Sequence, residues 1–382
     1  MRQNLEILQE VAAQSGARIV LAQKAFAQPQ LYPLIGRYLA GACASGAWEA
    51  RLARDHFPPD AEVITCSPAY TSEDITTLLP LTNHLDFNSL TQWEHYRGQC
   101  LAHQQAHPTQ HLEFGLRINP QCSTGDTPLY DPCAAGSRLG VPVDHLQAAP
   151  LALLEGISGL HFHTLCEQGV DDLAVTLQAV EEQFGWFLQR PETTYLNLGG
   201  GHWITKPGYD RAALVRLIIR LREKYQLTVY LEPGEAVAIH SGILIATVLD
   251  LHRNGATTNA LLDVSATAHM PDVLEMPYRP DVYALRTGEA AGTAGAYTYR
   301  LTGNTCLAGD QIGDYAFSTP LQVGDRLCFN DMAHYTMVKT TFFNGVRHPA
   351  IYLHRADQPP LALRSFSYED YLHLKVAPGA AT

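Results

Sequence analysis

The 382-residue chain has no apolar run approaching the roughly 18 residues that a membrane-spanning helix needs. Its opening, MRQNLEILQE, lacks the basic-then-apolar layout of a secretory signal, so a cytoplasmic protein is expected. The eight cysteines, at positions 43, 66, 100, 122, 133, 166, 306 and 328, include no CxxC pair. That spacing speaks against a zinc site or a disulfide framework and for free thiols in a reducing compartment. Charge is sparse and biased. Charged residues make up 17% of the chain, with Lys plus Arg at 26, Asp plus Glu at 38 and a formal net charge of -12. This balance disfavours nucleic acid or anionic membrane as a partner and mildly favours a small cationic substrate. No GxGxxG follows the first strand-like run, which weakens the case for an open dinucleotide-binding sheet.

What the chain does have is rhythm. Short apolar runs at 18–24, 39–44, 62–67, 84–89, 114–119, 159–165, 195–200 and 228–233 alternate with amphipathic stretches such as 46–57, 169–189 and 209–225. In the last of these, Leu214, Leu217, Ile218 and Leu221 follow the helical i, i+3, i+4, i+7 spacing. Eight strands separated by helices predict a (β/α)8 barrel over residues 1–239. Beyond residue 240 the rhythm changes. Runs at 242–250, 259–264, 326–330 and 350–354, joined by Gly- and Pro-containing loops, predict a separate β domain over 240–382.

Polar residues fall where the predicted barrel strands end: Lys24, Arg117, His161, His163, Gly199-Gly200-Gly201 and Glu232. In barrel enzymes that end carries the active site. A lysine at the end of a buried strand is either a snorkelling surface group or a functional amine able to form an imine. Three glycines after the seventh strand expose backbone N–H groups to a phosphate, although a tight loop would use them too. Glu232, on an otherwise apolar strand, needs a partner, which could be Arg117 or the ring nitrogen of a pyridine cofactor. The His161-Phe162-His163 pair could be half of a metal site. Barrel metal sites carry such a pair near the first strand, with further ligands on later strands. Here the later strands end in glycines and Glu-Pro-Gly, so no metal is expected and a ring-stacking role suits His163 better.

With these motifs in this order, the chain closely resembles the fold-type III pyridoxal phosphate decarboxylases, the family of the ornithine and diaminopimelate enzymes, over nearly its whole length. The resemblance implies an alanine-racemase-like barrel, pyridoxal 5'-phosphate as cofactor and a homodimer with shared active sites. It maps the imine lysine onto Lys24, the stacking histidine onto His163 and the phosphate loop onto Gly199, Gly200 and Gly201. It maps the ring-nitrogen acid onto Glu232, with Arg117 and Gly234 also at the cofactor. In the β domain, Gly303-Asn304-Thr305-Cys306 resembles the family's Gly-Pro-x-Cys loop, which implies Cys306 as the general acid. Met332-Ala333-His334-Tyr335-Thr336 resembles its Gly-Ala-Tyr loop, which implies Tyr335 at the phosphate. Both loops would serve the active site of the other subunit.

Stretches such as GLHFHTLCEQ, NLGGGHWIT, LEPGEA and FNDMAHYTMVKTTFFNG resemble the branch acting on the carboxylated polyamines carboxynorspermidine and carboxyspermidine, which places the chain in polyamine biosynthesis. Departures from the amino-acid decarboxylases agree with that: Glu235 replaces an arginine, Leu165-Cys166 replaces a serine, and Leu307 follows the cysteine. Asp263, Asp272, Glu275 and Asp310 are the expected acceptors for the substrate's amines. The alternatives are a diaminopimelate or other basic amino-acid decarboxylase and, in a different class, a non-catalytic cofactor carrier. Met1 opens almost inside the first helix, where the family has a preceding strand, so an altered edge of the β-domain sheet is expected.

Overall fold

Eight short strands, most of them buried on both faces, line up in chain order and close on themselves. They are β1 (Arg18–Ala22), β2 (Gly41–Ala44), β3 (Glu62–Ser67), β4 (His84–Phe87), β5 (Glu113–Arg117), β6 (Ile157–His161), β7 (Tyr195–Asn197) and β8 (Thr228–Leu231). All neighbours are parallel, and Arg18↔Tyr230 and Ile19↔Leu231 seal the barrel between β1 and β8. The architecture is the (β/α)8 barrel that the alternation predicts. The computed structural model describes residues 1–125 and 127–376.

The helices between the strands bury one face each. Helix Val170–Leu188 turns Leu173, Leu177, Val180, Phe184, Phe187 and Leu188 inward, each worth about 1.5–3 kcal/mol in area terms. Helix Leu90–Ala106 starts at Ser89, whose hydroxyl accepts the Gln92 N–H. It buries Trp93 between Phe87 and Phe114, with the indole N–H donating to the Leu153 carbonyl at 2.7 Å.

The barrel interior is unusually aromatic at one level. Tyr195 packs with Val20, Ile64 and Tyr230, and only glycine admits its ring. A Cβ on Gly159 would lie 2.1 Å from that ring, and one on Gly115 would lie 2.2 Å from its hydroxyl.

The described structure forms two compact units, Met1–Ala238 and Ile239–Thr382. The second carries β9 (Leu244–Asn254), β10 (Thr257–Leu262), β11 (Val282–Ala284), β12 (Glu289–Ala290), β13 (Tyr297–Thr302), β14 (Gln311–Phe317) and β15 (Arg326–Phe329). These form one sheet in the order β12-β11-β15-β9-β10-β13-β14. A separate hairpin pairs β16 (Ile351–Arg355) with β17 (Gln358–Arg364). Its core includes Val248, Leu262, Leu301, Tyr315, Phe317, Leu327 and Phe329.

The four apolar runs expected here are only part of nine strands. Among those missed, β13 buries only Tyr299 and Leu301 of its six residues, so no continuous apolar run announces it. The barrel strands also stop earlier than their apolar runs, at Ala22, His161 and Asn197. Lys24, His163 and Gly199 therefore stand in the loops that follow. All eight cysteines are free thiols, and no helix among the described residues is long and apolar enough to cross a membrane.

Candidate active site

Lys24 sits in a turn that its neighbours hold still. Gln23 is buried, donating from its amide to the Glu49 carbonyl at 3.0 Å and accepting from the Tyr32 hydroxyl at 2.8 Å. Ala25 is buried as well, and its N–H returns to the Ala22 carbonyl at 3.1 Å. Between these two anchors the Lys24 side chain is exposed at the carboxyl end of the barrel. Gly234 closes the same corner: a Cβ there would lie 2.4 Å from the Ala25 methyl.

His163 and the glycine loop are built as one piece. The Gly200 N–H donates to His163 Nδ1 at 2.8 Å, which leaves the ring proton on Nε2. Burial, reinforced by the positive charges of Lys24 and Arg117, pushes the imidazole well below its ordinary range, so the ring is neutral. Gly199 and Gly201 adopt φ of +68° and +80°. A Cβ on Gly200 would come within 2.5 Å of the Glu232 carbonyl oxygen. The loop therefore excludes side chains and presents backbone.

Glu232 is 6% exposed and does not pair with Arg117 among the described residues. Its Oε1 accepts from the Asn197 amide at 2.6 Å, and its Oε2 lies 3.5 Å from His161 Nε2. The far nitrogen of His161 lies 3.7 Å from Asp86 Oδ2, and Asp86 Oδ1 accepts from the Tyr195 hydroxyl at 2.5 Å. A buried polar column thus runs down the barrel axis beneath Glu232. The sequence reading missed Asp86, Asn197 and Tyr195. A signal existed in the alternate polar positions of β4 (His84, Asp86) and β7 (Tyr195, Asn197), which point to one face of their strands.

Burial raises Asp86 to about 7 and lowers His161 to about 4. Between those values the folded state keeps a proton on Asp86 that the unfolded chain gives up, so stability from this group falls as pH rises. The unfolded chain holds a proton on His161 up to its ordinary value while the folded state does not, so stability from this group rises with pH. The two contributions oppose each other over the shared window from about 4 to 6.5. Asp86→Asn removes only the falling one. The Tm of this variant relative to the parent should climb from about pH 4 to about pH 7 and level off above that. A difference independent of pH would show that Asp86 is not held protonated in the folded state.

In the second unit, Cys306 is exposed on its loop, and its N–H donates to Asn344 Oδ1 at 2.9 Å. Asp310, 3% exposed, accepts from the Ser265 and Thr305 hydroxyls at 2.8 and 2.6 Å. A Cβ on Gly303 would lie 2.2 Å from its Oδ2. Asp310 therefore binds its own loop, and its carboxylate is not presented to solvent. Asp272 and Glu275 both hold the Lys339 ammonium. Asp263 is exposed, with Oδ1 accepting the Thr247 N–H at 2.6 Å. Tyr335 has φ of +54° and sets its ring edge-on to His334.

The barrel donor set fits pyridoxal phosphate. An exposed amine stands beside a neutral imidazole plate, a backbone cradle that no side chain can enter, and a buried carboxylate held by Asn197. Half-buried Arg117 ends β5 on the same rim.

The comparisons agree. Residues 63–333 match the family model described as pyridoxal-dependent decarboxylase, C-terminal sheet domain. The carboxyaminopropylagmatine decarboxylase of Synechocystis is 46% identical, covering 97% of this chain and 92% of that protein. The carboxynorspermidine/carboxyspermidine decarboxylase of Campylobacter jejuni is 40% identical, covering 97% and 94%. A crystal structure of carboxynorspermidine decarboxylase from Campylobacter jejuni, complexed with norspermidine, superposes with a TM-score of 0.83 at 39% identity, covering 97% of this chain and 95% of that one. The chain belongs to the pyridoxal-dependent decarboxylase family that includes the ornithine, diaminopimelate and arginine enzymes.

Proposed function

We propose that this chain decarboxylates carboxynorspermidine and carboxyspermidine, giving norspermidine and spermidine, in the cytoplasm as a step of polyamine synthesis. The observation that carries this reading is its likeness, over nearly the full length of both chains, to the Campylobacter jejuni enzyme of that name. The 46% identity to the Synechocystis relative favours a second substrate, carboxyaminopropylagmatine. It shares the carboxyaminopropyl head and differs in carrying a guanidinium at the far end. A net charge of -12 suits either cation.

Pyridoxal phosphate, when bound, supplies an electron sink conjugated to the substrate's α-amine. Lys24 would attach the cofactor and give way to the substrate amine, then reclaim its place to release product. The His163 plate would stack on the cofactor face. Gly199, Gly200 and Gly201, with Arg117 and Gly234, would hold the cofactor from this chain, and Tyr335 would reach the phosphate of the partner subunit's site. Glu232 would accept a hydrogen bond from the ring nitrogen and keep it protonated as charge develops. Cys306 of a partner subunit would protonate the α carbon after carbon dioxide leaves, which makes the homodimer the active unit. Asp263 would accept a substrate ammonium. Asp272 and Glu275 already accept one from Lys339, so substrate binding there would displace that side chain. Asp310 would shape the Cys306 loop.

The test is carbon dioxide release from carboxynorspermidine, carboxyspermidine, carboxyaminopropylagmatine and diaminopimelate, compared as kcat/KM. A carboxyaminopropyl substrate should exceed diaminopimelate by at least about 100-fold, because an unmatched charged end leaves buried polar groups unpaired. A preference for diaminopimelate would overturn the proposal, and the order among the other three separates the two readings.

A further inference from the structure

At the opposite end of the barrel, the mouth formed by the amino ends of the strands, we propose a binding site for a divalent transition-metal ion ligated by His84, His111 and Glu113.

His84 and Glu113 are register partners at the starts of β4 and β5. His111 precedes Glu113 by two residues, which in extended chain returns its side chain to the same face. The potential ligand atoms of the three residues lie within 4.8 Å of one another. Glu113 Oε2 is 3.4 Å from His84 Nε2 and 3.8 Å from His111 Nε2. Zinc bonds of about 2.0–2.2 Å in a tetrahedron set ligand atoms about 3.4 Å apart, so an ion fits among these three with small adjustment.

His84 is an independent pointer. It is fully buried, wedged between the rings of Tyr195 and Tyr230 at centroid distances of 4.3 and 4.8 Å. Neither of its ring nitrogens has a hydrogen-bond partner. An imidazole so placed is costly unless something accepts its lone pair or its proton. Burial lowers it to about 3, so it is the neutral form a metal requires.

Glu113 is aimed as well. Its Oε1 accepts from the Thr194 hydroxyl at 2.5 Å, which turns Oε2 toward both imidazoles. Arg18, the cation of this mouth, is engaged with Glu62 at 2.5 Å, and Asp60 and Glu62 leave the rim acidic. Two imidazoles and one carboxylate suit zinc, cobalt or nickel over magnesium or calcium. Three protein ligands leave a fourth position for water. The ion would tie β4 to the segment entering β5, a structural role distant from Lys24.

The experiment titrates zinc into chelator-treated holoenzyme by calorimetry and records Tm alongside. It compares the parent with His111→Ala and Glu113→Gln. His111 is largely exposed, so its loss leaves the fold intact. The parent should bind one zinc per chain saturably and gain Tm with zinc. Loss of outer-shell partners alone weakens metal sites about 10–100-fold, so loss of a ligand should weaken binding by at least about tenfold in both variants. Parent and variants giving the same isotherm would place the zinc elsewhere, for example on the stacked His103–His107 pair. That result, or the absence of saturable binding in the parent, would overturn the assignment.

Discussion

Replacing Cys306 with alanine is expected to lower kcat by about 10²–10⁴-fold, the usual worth of a positioned proton donor, while the cofactor stays bound. The thiol is exposed on a loop that Asp310 and Asn344 hold by hydrogen bonds to Thr305 and the Cys306 N–H, so the substitution removes chemistry and leaves the fold unchanged. Lys24→Ala should be at least as severe, by removing the cofactor's attachment point. Mixing the two inactive proteins under conditions that exchange subunits tests where Cys306 acts. If each active site draws Lys24 from one protomer and Cys306 from the other, half of the dimers are mixed. Each mixed dimer then has one intact site of two, and activity returns to about one quarter of the parent's. If both residues serve a site within one chain, mixing restores nothing. Unchanged turnover by Cys306→Ala alone would remove it as the acid.

The barrel was legible because parallel strands buried on both faces read as continuous apolar runs, and all eight appear in register order. Lys24 drew attention for a related reason. It is the only lysine in the first 205 residues, and it stands where an apolar run ends. The glycine triplet and Glu232 stood out because neither residue type continues the apolar runs they follow.

What stayed hidden depends on pairing across the chain. Asp86 resembles any acid near a strand end until β7 brings Tyr195 beside it, 109 residues later. Asp310 was expected as a substrate acceptor because its motif resembles the family's, and nothing local signals its burial. It is buried, and it accepts a hydrogen bond from Ser265, 45 residues earlier. Lys339 lies 67 residues from Asp272, and no local pattern links them. The β-domain strands were under-read because alternation with a wet face, not apolar content, marks them.

Glu232→Gln should cost about 10²–10³-fold in kcat, the range found when one aligned group that stabilises developing charge is removed. The amide is nearly isosteric, and its oxygen can still accept from Asn197, so the side chain keeps its place. It lacks the negative charge, and its NH2 end faces either His161 or the cofactor ring, neither of which it can serve as a carboxylate does. The loss should fall on kcat with little change in KM, because the charge on the ring develops during the reaction and not on binding. Thermal stability supplies the control. Glu232 is buried with Asn197 as its hydrogen-bond partner and the neutral His161 nearby, so trading its carboxylate for an amide should leave Tm level or raise it. A fall in kcat without a fall in Tm cannot be blamed on a damaged barrel. Glu232→Asp, which keeps the charge but withdraws it by one methylene, should lie between parent and amide. If the amide variant instead turns over at the parent's rate, the ring nitrogen does not depend on Glu232, and the column of His161, Asp86 and Tyr195 beneath it serves packing alone.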